Sequence, residues 1–209
     1  MIPLLNVIIV AGCLVLFTAI NLDNLLRYHR SRSGRSAKPE IERQIAGSLV
    51  LAGAGTVAFF FESFLYVFLG YSRNSLFSFL DFGTFGMGLL EPFGSFVMVL
   101  GYLIFIWSVV ARGRYATSWQ MPVGHKLVDW GPYRYVRHPS YLAYFLMFIG
   151  FLLMWHNAFA LIPLIAIPGY VLITHSEEKM LETRFGDGYV EYKKNVGRFL
   201  PKMSPGKSR

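Results

Sequence analysis

SYLAYFLMFIGFLLM (Ser140–Met154), WHN (Trp155–Asn157) and AFALIPLIAIPGYVLIT (Ala158–Thr174) follow one another without a break. Two apolar runs are joined by only three residues. Each run is slightly shorter than the roughly 20 residues that carry a helix across a bilayer. So short a joint sends the second run back along the first, and the stretch predicts a tight helical hairpin. Pro163, Pro168 and Gly169 are expected to kink its second arm.

Working outward, three further apolar runs precede the hairpin: Ile2–Leu22, Ile45–Gly70 and Pro92–Ala111. The chain of 209 residues is 54% hydrophobic and only 15% charged, against roughly 25% charged in soluble domains. The fold class is therefore an all-α integral membrane protein with about five spanning helices in one domain, 1–209. The first run could also be read as a signal peptide, but the basic residues follow it instead of preceding it, so it is expected to be a spanning helix. Residues 1–111 would supply three N-terminal spans. Residues 112–209 would supply a polar loop, the hairpin and a C-terminal segment.

The net charge of +8 does not imply nucleic acid. Of the 20 Lys and Arg, 19 fall in residues 23–44, 112–139 and 175–209, which five spans place on one side. That partition is the positive-inside pattern, with the N-terminus outside and the three basic segments cytoplasmic. Anionic membrane lipids are the expected partners of most of these cations. Lone Cys13 lies in an apolar run and reads as a small filler. Ala52-Gly53-Ala54-Gly55 would let another helix approach closely. Glu62 is an intramembrane carboxylate near the far interface, where it is expected to reach the headgroups. Tyr71–Glu91, aromatic and glycine-rich, reads as an interfacial loop or half-buried helix.

The chemistry gathers at the two cytoplasmic ends of the hairpin. Before it stands GPYRYVRHPSY (Gly131–Tyr141), with an Arg-His pair, three tyrosines and two prolines. After it, HSEEKMLETRF (His175–Phe185) continues the second arm as an amphipathic helix stopped by Gly186. Glu178 and Glu182 share a face with His175, while Glu177 and Glu178 begin the first turn beyond the membrane. Two carboxylates opposite Arg137 and His138 make a polar pocket at the interface, able to hold a charged small molecule beside lipid. The five histidines show no HxxxH pair and there is no cysteine cluster, so no metal site is expected. Dinucleotide, phosphate-loop and nucleophile-elbow motifs are missing as well. Tyr189 and Tyr192 are expected to pack the C-terminal segment onto the membrane interface.

GHKLVDWGPYRYVRHPSY followed by EEKMLETRFGDGYVEYKKNVGRFLP resembles the isoprenylcysteine carboxyl methyltransferase family, which is related to the phospholipid N-methyltransferases. The pattern G-x-Y-x-x-x-R-H-P-x-Y stands as Gly131, Tyr133, Arg137, His138, Pro139 and Tyr141. The second pattern stands as Glu177, Glu178, Leu181, Phe185, Gly186, Tyr189 and Tyr192, closing with Arg198, Phe199 and Pro201. The resemblance covers roughly His125–Pro201 and implies S-adenosylmethionine bound on the cytoplasmic side under a C-terminal helix. It places the backbone of His125, Lys126, Leu127 and Val128 against adenine, and Gly131, Tyr133, His138, Pro139 and Tyr141 around the cofactor. It gives Glu177 and Glu178 to the amino end, adds Arg198 to the binding set, and marks Arg137 and Glu178 as catalytic. Arg137 would meet the carboxylate of the cofactor or of the acceptor. That acceptor would be lipophilic: the carboxylate of a prenylcysteine or similar isoprenoid-linked acid, or else an ethanolamine lipid. An NADPH-dependent sterol or enone reductase is a further alternative, and a non-catalytic scaffold or transporter another. Where many members of the family carry Gly, this chain has Ala143, which would narrow the acceptor route.

Overall fold

The structure, a computed structural model, describes residues 4–31, 43–72, 80–82, 87–113 and 126–202. Within these residues six α-helices run in the order α1 (Leu4–Ser31), α2 (Arg43–Ser72), α3 (Met87–Arg112), α4 (Pro139–Trp155), α5 (Ala166–Phe185) and α6 (Asp187–Asn195). Short 3-10 segments, Gly131–Arg134 and Ala158–Ile165, precede α4 and α5. Among the described residues there is no sheet, only two isolated bridges. Among the described residues four helical stretches are long and apolar enough to cross a membrane: Leu4–Asp23, Ala46–Gly70, Gly88–Arg112 and Ala158–Phe185. The fifth apolar helix, Pro139–Trp155, is shorter. His125, named above, lies outside the described residues.

The hairpin turns as its three-residue joint demands. His156 ends α4 in the left-handed region at φ 51°, a conformation that costs a non-glycine residue about 1 kcal/mol or more. Its carbonyl accepts from the Phe82 backbone N–H at 2.9 Å. Asn157 then caps the return arm by accepting from Phe159 N–H, and donates to Asp81 at 2.8 Å. The prolines act as local geometry requires. Pro163 lies within the 3-10 segment, and Pro168 falls in the first turn of α5, where a missing N–H has no helical partner to lose. The arm is therefore a 3-10 start leading into an α-helix, which continues through His175 to Phe185. α3 begins at Met87, five residues ahead of the expected Pro92, with the proline inside it.

Small residues decide which helices meet. α3 and α4 run antiparallel along their whole lengths, with Gly94 against Met154 and Gly150, and Gly101 against Ala143 and Met147. Ala143 is thus fully buried where α4 passes Gly101. α2 packs on α5 and the 3-10 segment before it: a Cβ on Gly55 would sit 2.7 Å from Ala166, and one on Gly169 would sit 2.6 Å from Ala52 N. Of the expected small-residue patch, Ala52 and Gly55 make this contact, whereas Gly53 and Ala54 face outward. α1 lies on α2 and α3. The exposed residues of α1, α2 and α3 are largely Leu, Val and Phe, as lipid-facing surfaces should be.

Glu62 does not reach outward to headgroups. It is 2% exposed, and neither carboxylate oxygen has a hydrogen-bond partner among the described residues. α2 turns it inward because Phe59 and Tyr66, on either side of it, face Phe151 of α4. An unpaired carboxylate in such a place is costly when charged. Glu62→Gln should therefore keep or raise the thermal midpoint in detergent, while Glu62→Lys should lower it markedly. A clear loss in the Gln variant would show that the charge has a partner.

Candidate cofactor and acceptor site at the α4–α5 end

The site is assembled by a short backbone pairing between segments about 60 residues apart. Arg137 N–H donates to Gly197 O at 2.8 Å and His138 N–H to Arg198 O at 3.1 Å, beside a parallel bridge from Val136 to Gly197. The C-terminal segment is thereby laid along the loop before α4. Tyr192 of α6 adds a hydrogen bond from its hydroxyl to Tyr133 O at 2.7 Å. Tyr189 is buried beside it. Tyr192 thus ties the C-terminal segment to the loop before α4.

Glu178 sits at the centre of this junction and is 2% exposed. Its Oε1 accepts from Arg137 Nε at 3.1 Å and Nη2 at 2.9 Å, from Arg198 Nε at 3.1 Å, and faces His138 Nε2 at 3.2 Å. Its Oε2 accepts from Arg198 Nη2 at 2.9 Å and lies 3.4 Å from Lys193 Nζ. Arg137 also donates through Nη1 to the carbonyls of Lys193 and Val196. Four of its five N–H groups are thus committed within the protein. Arg198 reaches His175 Nε2 at 3.1 Å, and Lys193 reaches Glu182 at 2.6 Å. The Glu182 hydrogen bond, with Glu178 behind it, raises the Lys193 pKa. The face His175–Glu178–Glu182 is therefore the one onto which the cations of the C-terminal segment close.

Glu177, one residue earlier on α5, points elsewhere. A step of about 100° round a helix takes its side chain to α4. There Oε1 accepts from Tyr141 Oη at 2.7 Å and Oε2 lies 3.5 Å from His138 Nδ1. The imidazole of His138 is held between the two glutamates and lies parallel to Tyr141, ring centroids 5.6 Å apart. From Tyr141 a chain of rings leads inward. Tyr141 meets Tyr170 at 4.6 Å, and Tyr170 stacks on Tyr144 at 5.3 Å. Tyr144 meets Phe105, and Phe105 meets Phe17 and so Phe60. Helices α1 to α5 all contribute a ring.

The remaining expected residues take supporting positions. Gly131 has φ 61°, and a Cβ there would come within 2.8 Å of the Ala111 Cβ, so it lets the loop pass the end of α3. Pro139 opens α4 at its first turn, a position that suits it. Lys126–Val128 are described as an irregular segment, with Lys126 exposed and Leu127 and Val128 half-buried.

Sequence reasoning missed Arg112 and the two serines beside it. Arg112, at the end of α3, donates from Nη2 to Ser140 Oγ at 3.2 Å, and Ser140 shares a hydrogen bond with Ser108 at 2.7 Å. Burial raises the pKa of the Tyr133 hydroxyl, an effect that the Arg112 charge and the two serine hydroxyls partly offset. The only signal in the sequence was an arginine closing an apolar run, which topology alone explained.

The residues present suit S-adenosylmethionine on the chemistry of the donor set. A zwitterion with a sulfonium calls for a carboxylate, a guanidinium and aromatic faces. Glu177, Arg112 and the rings of Tyr141 and Tyr133 stand at one end of the bundle, with a buried Arg112 Nε that has no hydrogen-bond partner among the described residues.

A family model described as phospholipid methyltransferase matches residues 90–188. Among curated proteins, the chain is 30% identical over 122 residues to protein-S-isoprenylcysteine O-methyltransferase B of Arabidopsis thaliana, covering 54% of this chain and 59% of that one. It is 29% identical over 123 residues to a protein-S-isoprenylcysteine O-methyltransferase of Tribolium castaneum, covering 54% and 42% respectively. It is 40% identical over 74 residues to the methanethiol S-methyltransferase of Pseudomonas deceptionensis, covering 34% and 27%. The matched region spans less than two-thirds of each of these relatives.

Proposed function

We propose that this chain, which belongs to the isoprenylcysteine carboxyl methyltransferase family, is an S-adenosylmethionine-dependent methyltransferase acting on a lipophilic acceptor at the membrane. The preferred acceptor is the carboxylate of a prenylcysteine or a similar isoprenoid-linked acid. The observation that carries the reading is the division between the two glutamates. Glu178 is consumed by the clamp that seats the C-terminal segment, which leaves Glu177, Tyr141 and His138 turned toward the bundle as a polar wall above a file of aromatic rings.

S-adenosylmethionine, when bound, supplies a methyl group on a positively charged sulfur. Glu177 would hold its ammonium, Tyr133, His138, Pro139 and Tyr141 would enclose it, and Lys126–Val128 would meet its adenine. Arg137, Arg198 and Glu178 act as positioning residues that keep this wall in place. The ring file from Tyr141 to Phe60 offers an apolar tail a bed reaching into the bundle. Methyl transfer is an in-line displacement, so orientation and exclusion of water can supply much of the rate. A carboxylate acceptor needs no base, whereas an amine must first lose a proton. A small apolar thiol is a second reading, favoured by the 40% identity to the methanethiol S-methyltransferase. We place residues 1–111 on the acceptor side of a single membrane domain. The basic loops and the cofactor site are cytoplasmic, and the N-terminus is outside.

Calorimetry on the detergent-purified chain tests the reading. Adenosylhomocysteine should bind and NADPH should not. Glu177→Gln should weaken adenosylhomocysteine by about tenfold or more, since hydrogen bonds to charged groups contribute about 1.5–3 kcal/mol. Tyr141→Phe should weaken it by less, because Glu177 keeps its charge. Binding of NADPH alone would overturn the reading. Transfer to N-acetyl-S-farnesylcysteine, to an ethanolamine lipid or to a short thiol then identifies the acceptor.

A further inference from the structure

Resting on that reading, one question is which cation meets a ligand carboxylate. Arg137 was the expectation, but its guanidinium is spent: Nε and Nη2 on Glu178, Nη1 on the Lys193 and Val196 carbonyls. Arg198 is bidentate on Glu178 and also donates to His175. Lys193 is paired with Glu182 and Glu178.

Arg112 is placed differently. It approaches from α3, not from the C-terminal segment, and its one hydrogen bond given by the structure is to the neutral Ser140 hydroxyl. Its Nε is buried without a partner among the described residues. A buried N–H left without an acceptor is unfavourable, and Nε with an Nη forms the planar fork that fits a carboxylate. The location is also right. Ser140, which Arg112 touches, is followed directly by Tyr141, which donates to Glu177. The Arg112 charge is close enough to act on Glu177, Tyr141, Tyr144 and Tyr133. A cation and a carboxylate thus flank the start of α4, one for each of an amino acid's two charges.

We propose that Arg112 is the carboxylate receptor of this site, taking the carboxylate of an amino-acid moiety next to the Glu177 that takes an ammonium. The carboxylate is either that of the cofactor's methionyl end, whose ammonium Glu177 takes, or that of the acceptor's cysteine, whose nitrogen is acylated and makes no claim on Glu177.

The test uses full-length Arg112→Met and Arg112→Gln protein in detergent. Adenosylhomocysteine and its decarboxylated analogue are titrated calorimetrically, and transfer is followed to N-acetyl-S-farnesylcysteine and to farnesyl thiol. If the carboxylate is the cofactor's, Arg112→Met weakens adenosylhomocysteine at least tenfold and leaves the decarboxylated analogue unchanged. If it is the acceptor's, adenosylhomocysteine binds as in wild type, while KM for the farnesylcysteine rises at least tenfold and that for the thiol does not. Equal loss for both nucleosides, or all values within twofold of wild type, overturns the proposal. Should the Met variant fail to fold, the Gln variant is read by the same criteria, and failure of both to fold marks Arg112 as structural and also overturns it. Wild-type protein that binds no adenosylhomocysteine would sink the methyltransferase reading itself. Normal wild-type binding with an indifferent Arg112 sinks only this assignment.

Discussion

Glu178→Ala is expected to abolish adenosylhomocysteine binding and to destabilise the folded protein by about 3–5 kcal/mol, the range for breaking a buried ion pair by removing one partner. Two arginines, a lysine and a histidine converge on this one carboxylate. Without it, two guanidiniums are left facing each other in a junction where Arg137 is only 7% exposed. The C-terminal segment should then release from the loop before α4, taking the hydrogen bonds of Arg137 and His138 N–H with it. Glu178→Gln keeps the shape and one acceptor oxygen but loses the charge, so it should fall between wild type and Ala. Limited proteolysis near residues 193–200, together with the thermal midpoint, checks the structural part. If Glu178→Ala is as protease-resistant as wild type and loses only turnover, then Glu178 acts on ligand and not as the clamp.

Gly150→Ala is expected to have the second large effect, although it adds only a methyl group. The new Cβ would lie 2.4 Å from Met98 N and 2.7 Å from Gly94 O. Those atoms are backbone, so no rotamer change can relieve the contact and α3 must move away from α4. Overpacking of this kind costs about 1–3 kcal/mol. In a membrane bundle, where close packing holds the helices together, the loss should be at the upper end. Displacing α3 also carries Arg112 away from Ser140, so cofactor binding should weaken even though residue 150 is remote from the site. Gly53→Ala is the matched control: a Cβ there meets nothing within 4 Å, and its effect should stay within about 0.5 kcal/mol. Similar midpoints for the two variants would mean that α3 and α4 are not so closely apposed in the folded protein.

Much of the site could be read from the chain. Arg137, His138, Tyr141, Glu177 and Glu178 were all picked out, and the structure brings them together. The stop at Gly186 and the continuation of the second hairpin arm through His175 were equally legible, because apolar periodicity and a glycine stop are local signals. Glu62 shows where local reading fails. Its depth along α2 was readable, but the face it occupies depends on which side of α2 meets α4. The glycines at 94, 101 and 150 make the same point, since spaced singly in apolar runs they carry no sign of a partner.

The sequence by itself determined that this is a helical membrane protein, that its last two apolar helices form a hairpin, and that two polar motifs meet at one end of it. Run length, joint length and charge partition are properties of consecutive residues, and they suffice for this. Only the tertiary structure decided what each charged group does there. Adjacent glutamates on α5 face different neighbours. One is neutralised by cations brought in by the C-terminal segment, and the other faces α4. Arg112 enters from a third helix. Which cation meets which carboxylate is set by backbone pairing across about 60 residues and by how closely α3 can approach α4, and neither is written in the local pattern.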